Sequence, residues 1–276
     1  MALNSGLRQV IRVNMAPQLD AVVITGAGRG LGKAVALRCA QLAIPVLCIS
    51  KSETAAATCA EITAAGGKAE FLTIDLRDAS AAHSEVLSWV ARSSYRKIAV
   101  VLTAGALGRP GGLIDADLTD WLTTYQTNVI GNLAVTKALL PVMLHAHFGR
   151  IVTIAGGGAA YAYPRFSGYA LSKTAIVRAT ENLQAELADK GDFLTVCLAP
   201  GAMDTDMLKQ VRAAGAEVRT TVSVDEPVAF IEAFMLATAC AFAGRFVHVR
   251  DGWRSALNRP GEVIAGDLWF LRRIEK

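Results

Sequence analysis

Apolar and polar positions follow two alternating periods along most of the chain. Short, nearly uninterrupted runs of β-branched and aliphatic residues occupy 21–25, 45–49, 69–74, 98–102, 150–155, 193–198 and 245–249. Such runs read as strands buried on both faces. Between them lie longer stretches with apolar residues three and four apart, predicting helices from Gly32 to about Leu42 and over 53–65, 80–94, 118–147 and 167–190. A further helix opens at Asp225, Glu226 and Pro227, where acidic residues and a first-turn proline mark a start. The helix over 118–147 is expected to kink at Pro141, and 206–223 to form a mobile lid.

Strand and helix alternate throughout, which predicts an α/β fold. Its core is a parallel sheet with helices on both faces, right-handed crossovers and ligands at the carboxyl ends of the strands. The chain of 276 residues fits one such domain over 19–252, preceded by an arm over 1–18. A tail over 253–276 carries Trp253 and the apolar run Leu268, Trp269, Phe270 and Leu271, so it is expected to pack on the domain or on a partner subunit.

Composition narrows the function. Twenty-eight basic and 24 acidic residues leave a charge of +4, and the basic residues are scattered, which argues against nucleic acid or anionic lipid as partner. Although 53% of residues are hydrophobic, no uncharged run reaches the roughly 18 residues of a spanning helix. No small-residue cleavage site follows the Arg-bearing start. Cys39, Cys48, Cys59, Cys197 and Cys240 are odd in number and lack metal-ligand spacing. They suggest a reduced, cytoplasmic protein without a metal.

The first strand runs into TGAGRGLG at 25–32. Gly26 permits a tight turn, Gly28 or Gly30 lets the backbone approach a pyrophosphate, and Gly32 lets the helix pack close to the sheet. The helix start offers free N–H groups to an anion. The spacing is GxxxGxG, a variant of the usual dinucleotide fingerprint. About 20 residues on, where an NAD-binding unit carries an acidic residue for the ribose, this chain has Ser50 beside Lys51. With Arg29 in the loop, two cations are available to a 2′-phosphate, so NADP(H) is favoured over NAD(H). The alternative is that both are ordinary exposed charges.

Asn128 lies in an apolar stretch and needs polar partners. Tyr169 and Lys173 stand four residues apart on one helix face. An ammonium near a phenol lowers its pKa from about 10, which makes an acid–base pair.

These signals, in this order, resemble the short-chain dehydrogenase/reductase family over nearly the whole span 21–252. The matching elements are the glycine loop, Asp75–Leu76, Ala104–Gly105, Asn128, Tyr169 with Lys173, and PGAMDTDM at 200–207. The resemblance implies that Tyr169 is the acid that protonates a carbonyl oxygen. Lys173 would hold the nicotinamide ribose, and Asn128 would fix a water leading to Lys173. Cofactor contacts would come from Thr25, Gly26, Gly28, Arg29, Gly30, Leu31, Ser50, Lys51, Ala104 and Gly105, with Asp75 and Leu76 at the adenine. Pro200, Gly201, Met203 and Thr205 would complete them, the last two at the carboxamide. The resemblance also implies an α/β fold with a doubly wound, Rossmann-type parallel sheet of seven strands, and a homodimer or homotetramer acting on a small-molecule carbonyl or secondary alcohol.

Two departures stand out. The family's NNAG element is Leu102-Thr103-Ala104-Gly105, which predicts weaker bracing between strand and helix. The family's substrate-orienting serine is replaced by Gly156, after Ala155, and neither has a side-chain donor. Thr153 and Ser167 face away from the tyrosine by strand and helix periodicity, which leaves backbone N–H groups of the glycine triplet 156–158 as the expected substitute. The missing hydroxyl keeps two alternatives open: a cofactor-binding protein without redox turnover, and a non-redox dehydratase or epimerase. Pocket walls are expected near Leu107, Tyr161, Tyr163, Arg165 and Met207, with Arg109 or Arg165 either meeting an anionic group or lying at the surface.

Overall fold

The computed structural model describes residues 19–216, 218, 220–257, 270 and 271. Strands β1 (Ala21–Thr25), β2 (Val46–Ser50), β3 (Ala69–Thr73), β4 (Ile98–Leu102), β5 (Phe148–Ile154), β6 (Asp192–Ala199) and β7 (Phe246–His248) form one sheet. Its order is β3-β2-β1-β4-β5-β6-β7, and every pair is parallel.

Period-two alternation sorts the strand residues between two cores. Val22 and Ile24 of β1 enter the core beneath α1 (Gly30–Gln41) and α8 (Asp225–Met235), where Leu31, Val35, Phe230 and Phe234 also lie. Ala21 and Val23 enter the core beneath α3 (Ala79–Arg92) and α5 (Asn132–His145), with Val86, Trp89, Leu139 and Met143. Each fully buried Val, Ile or Leu stabilises the fold by about 1.5–3 kcal/mol. The expectation of strands buried on both faces fails at the edge strand β3, where Glu70, Phe71 and Thr73 are exposed. Helix α2 (Thr54–Ala64) joins the first core through Ala55, Cys59 and Ile62.

Where sequence spacing predicts one helix over 118–147, three pieces occur. They are α4 (Leu118–Tyr125), a π-helical turn (Gln126–Gly131) and α5. The break is at the π turn and not at Pro141, which is accommodated inside α5. Both Asn128 and Asn132 are buried and turned toward the ends of β1 and β4 (below). At Gly131 the chain crosses the Leu76 backbone so closely that a side chain would collide with the Leu76 carbonyl. Gly131→Ala is therefore expected to destabilise the protein by about 1–3 kcal/mol, measured by urea unfolding, because backbone on both sides limits relaxation. By length and composition the run Leu118–His145 is apolar enough to cross a membrane, but 61% of its apolar window is buried against the rest of the fold.

The segment expected to be a mobile lid contains a helix, α7 (Asp206–Ala213), capped by the Thr205 hydroxyl, which accepts from Leu208 N at 3.4 Å. Helix α6 (Ser167–Leu187) carries the Tyr–Lys pair. Trp253, in α9 (Trp253–Leu257), is buried edge-on to Phe230 at 5.0 Å and donates to Val249 O at 3.1 Å. Leu271 N donates to Glu181 Oε1 at 2.9 Å, which attaches this point of the tail to α6. The arm over 1–18, Leu268 and Trp269 lie outside the described residues.

Candidate active site

Strand order reverses direction at β1, between β2 and β4, and the glycine loop leaves β1 at that switch point. Gly26 has φ +69°, and a Cβ there would sit 2.9 Å from the Ala104 backbone. A Cβ on Gly32 would collide with the Gly26 carbonyl, so the helix packs directly against the turn. Gly28 lies against Thr54, whereas Gly30 faces the start of α7, with Thr205 Cγ2 3.5 Å from where its Cβ would be. Gly30 thus opens toward a cleft between the loop and the 205 segment, a cradle that suits a pyrophosphate over the start of α1.

The bracing expected to be weak is supplied by other residues. Thr25 Oγ1 donates to Asn132 Oδ1 (2.7 Å) and accepts from Ala104 N (3.1 Å), while Asn132 Nδ2 donates to Ala104 O (3.0 Å). The Thr103 hydroxyl donates to Thr25 O. Two threonines and Asn132 therefore tie the ends of β1, β4 and α5 together, satisfying polar groups that are costly to bury unpaired. Asn132 escaped the sequence reading; a second Asn four residues after Asn128 in an apolar stretch was its only signal.

At the adenine end, Ser50 Oγ donates to Ser52 O and accepts from Ala55 N at 3.2 Å, so it caps the turn into α2. Lys51 is exposed. Asp75 is held by Arg77, whose Nε donates to Oδ2 at 2.8 Å, and this hydrogen bond keeps the Asp75 carboxyl below the usual carboxylate range. Leu76 and Leu31 are buried as packing residues. Arg29 Nη1 lies 3.0 Å from Asp206 Oδ2. Arg77, a third cation at this end, has no motif to announce it.

Tyr169 and Lys173 sit at the carboxyl ends of β4 and β5. Lys173 Nζ donates to Ile154 O at 2.8 Å and lies 5.6 Å from the Tyr169 ring centroid. Gly105 lies alongside: a Cβ there would be 3.5 Å from Lys173 Nζ and 3.4 Å from Asn128 Oδ1. Asn128 is fully engaged, accepting from Ala106 N (2.6 Å) and donating to Ala106 O (2.9 Å) and Ser172 Oγ (2.8 Å). Ser172 in turn donates to Tyr169 O at 2.7 Å. The side chain of Asn128 thus positions the 106 loop and α6, which a water-holding role alone does not convey.

Proximity of Lys173 does not lower the Tyr169 pKa as the spacing predicts. Burial raises the phenol, and the Tyr163 and Tyr161 phenols raise it further. Burial pushes the Lys173 ammonium down to about 8. An ammonium can acidify a phenol only while it is charged, and desolvation disfavours both charges at once. Between pH 8 and the ordinary lysine value of 10.5, the unfolded chain holds a proton that folded Lys173 has lost. Stability from this group therefore rises with pH across that window. In urea unfolding of the cofactor-free protein, the difference in stability between wild type and Lys173→Met, from which the other titrating groups cancel, is expected to shift in favour of wild type from about pH 7.5 to about pH 9.5.

Gly156 is extended, at φ −165° and ψ 173°, a backbone that suits any residue. What requires glycine is Tyr169: a Cβ on Gly156 would collide with the phenol oxygen and lie 3.2 Å from Cε1 and Cζ. The neighbouring Gly157 receives the Tyr161 hydroxyl in the same way. Thr153 faces the core, pairing with Thr180 Oγ1 at 2.7 Å. Beyond the phenol, Leu107, Phe166 and Val211 form a buried apolar wall with Tyr163 and Met207 against it. Arg165 is exposed and anchored: its Nη1 donates to Ala214 O at 2.7 Å and its carbonyl accepts from Gly111 N at 2.8 Å. It straps the 156–166 loop to α7. Arg109 donates its backbone N–H to Asp120 at 2.8 Å. Pro200 and Gly201, the latter at φ +77°, turn the chain off β6, while Met203 packs into the first core.

Comparison with known proteins agrees with this geometry. The short chain dehydrogenase family model matches residues 20–216. A 3-oxoacyl-[acyl-carrier-protein] reductase of Synechocystis is 32% identical over 193 residues, covering 69% of this chain and 77% of that protein. A short chain dehydrogenase of Pseudocercospora fijiensis is 31% identical over 188 residues, and there the match spans 67% of this chain but 60% of the relative. An actinorhodin polyketide ketoreductase variant solved with NADPH superposes with TM-score 0.76 at 25% identity, covering 86% of this chain and 97% of the other. The chain belongs to the short chain dehydrogenase family, a family of NAD(P)-dependent oxidoreductases.

Proposed function

We propose that this protein is an NADP(H)-dependent oxidoreductase that transfers a hydride between nicotinamide and a carbonyl or secondary alcohol, with Tyr169 as the acid–base group. The observation that carries this reading is the convergence of Tyr169, Lys173 and Gly105 on one rim of the sheet, beside the glycine loop. The bound cofactor would supply the hydride. Tyr169, whose raised pKa keeps it protonated near neutral pH, gives its proton to the developing alkoxide during reduction. Lys173 holds the ribose and returns a proton toward Tyr169, a role suited to a group titrating at about 8. Backbone N–H groups of residues 156–158 orient the carbonyl oxygen in place of a serine. Arg29 and Lys51 receive the 2′-phosphate, and the NADPH held by the actinorhodin ketoreductase is consistent with that preference.

Gly156 favours one other reading, a cofactor-binding protein without turnover. The two are separated by following NADPH absorbance with a panel of ketones. Turnover with at least one ketone, faster with NADPH than with NADH, is expected; tight NADPH binding without consumption would establish the other.

We propose a homodimer, or a homotetramer built from it. Leu118 and Leu122 on α4 and Leu171 on α6 are all more than half exposed, forming an apolar surface suited to a second copy. Five free thiols suit a reducing, cytoplasmic setting.

A further inference from the structure

Arg29 stands between two surfaces. Its neighbour Gly28 lies against Thr54, whose hydroxyl is 3.4 Å from Ser50 Oγ at the end of β2. Its other neighbour, Gly30, faces Thr205 at the start of α7. From this position the side chain can turn toward the β2 end, where a ribose 2′-phosphate is expected, or toward α7. It turns toward α7 and pairs with Asp206, Nη1 to Oδ2 at 3.0 Å.

We propose that Asp206 competes with the 2′-phosphate for Arg29 and so determines how strongly the protein discriminates NADP(H) from NAD(H). This rests on the NADP(H) reading above. With side-chain exposures of 71% and 55%, the pair is solvated and exchanges easily. A phosphate carries more charge than a carboxylate and offers three acceptor oxygens, so it wins the guanidinium when present. Asp206 is not then left alone, because Lys209 Nζ is 3.6 Å from its Oδ1. NAD(H), with a hydroxyl in place of the phosphate, has no anion at that point and leaves the pair intact. The carboxylate therefore weakens binding of the phosphorylated cofactor alone. Helix α7 also contributes Met207 and Val211 to the apolar wall, so exchange of Arg29 loosens the element that covers the substrate side.

The test is equilibrium binding of NADPH and of NADH, by nicotinamide fluorescence, to wild type, Asp206→Asn, Asp206→Glu, Arg29→Ala and the double variant Arg29→Ala/Asp206→Asn. Removing the carboxylate is expected to tighten NADPH about two- to five-fold, the range of an exposed ion pair, and to leave NADH unchanged. Asp206→Glu should keep the wild-type ratio, and the gain should vanish in the double variant. The proposal is overturned if Asp206→Asn leaves NADPH affinity unchanged, moves both cofactors equally, or acts without Arg29. A wild type that binds NADH as tightly as NADPH, with Arg29→Ala neutral, would instead overturn the NADP(H) reading itself.

Discussion

Tyr169→Phe is expected to lower kcat for ketone reduction by about 10³, within the roughly 10²–10⁴ typical of losing a general acid, while NADPH affinity changes little. The substitution removes one oxygen and keeps the ring, which is packed with Leu107, Phe166 and Val211 and lies 6.4 Å from the Tyr163 ring. The two neighbouring phenols are engaged elsewhere, the Tyr161 oxygen on Gly157 and the Tyr163 ring stacked on Phe166 at 4.9 Å. Since burial holds Tyr169 in its neutral form, the effect should persist across neutral pH. Steady-state kinetics with a fluorescence titration of NADPH checks both halves. A variant that keeps more than a tenth of the wild-type kcat would remove Tyr169 from the proton step.

Gly156→Ser, which restores the residue the family pattern calls for, is expected to reduce activity by about 10². The reason lies in the phenol. Extended backbone at Gly156 admits a serine without strain, but its Cβ would collide with the Tyr169 oxygen, and the rigid ring has to move away. Misplacing a reacting group by about 1 Å typically costs about 10²-fold. Crowding the buried ring is expected to cost about 1–3 kcal/mol of stability, so urea unfolding beside kcat/KM, at a temperature where the variant stays folded, separates a displaced phenol from a damaged fold. Activity that appears from nothing in the serine variant would favour the reading without turnover.

The sheet was legible because most of its strands are nearly uninterrupted apolar runs, and the run 98–102 was located to the residue as β4. The Tyr–Lys pair was legible from helical spacing. Four features were not. The break after Tyr125 ends where Gly131 meets the Leu76 carbonyl, a contact between segments 55 residues apart in sequence that no local pattern encodes. Bracing comes from a threonine at 103 and from an asparagine at another place in the chain, Asn132, so a motif search sees only the loss. The pKa of Tyr169 has the wrong sign from spacing alone, since spacing reports a neighbouring charge and is blind to the burial that discharges it. Arg29 was read as a free cation, yet its partner Asp206 lies 177 residues along the chain.

Hydride transfer with a proton from Tyr169 is the centre of the account, and isotope transfer tests it most directly. Wild-type protein is incubated with a ketone and NADPH bearing deuterium at the reactive C4 position, and the product is examined by NMR. The account predicts one deuterium at the new carbinol carbon for each NADPH consumed, with negligible labelled product from Tyr169→Phe. Product without deuterium, or product formed while NADPH is conserved, would contradict it.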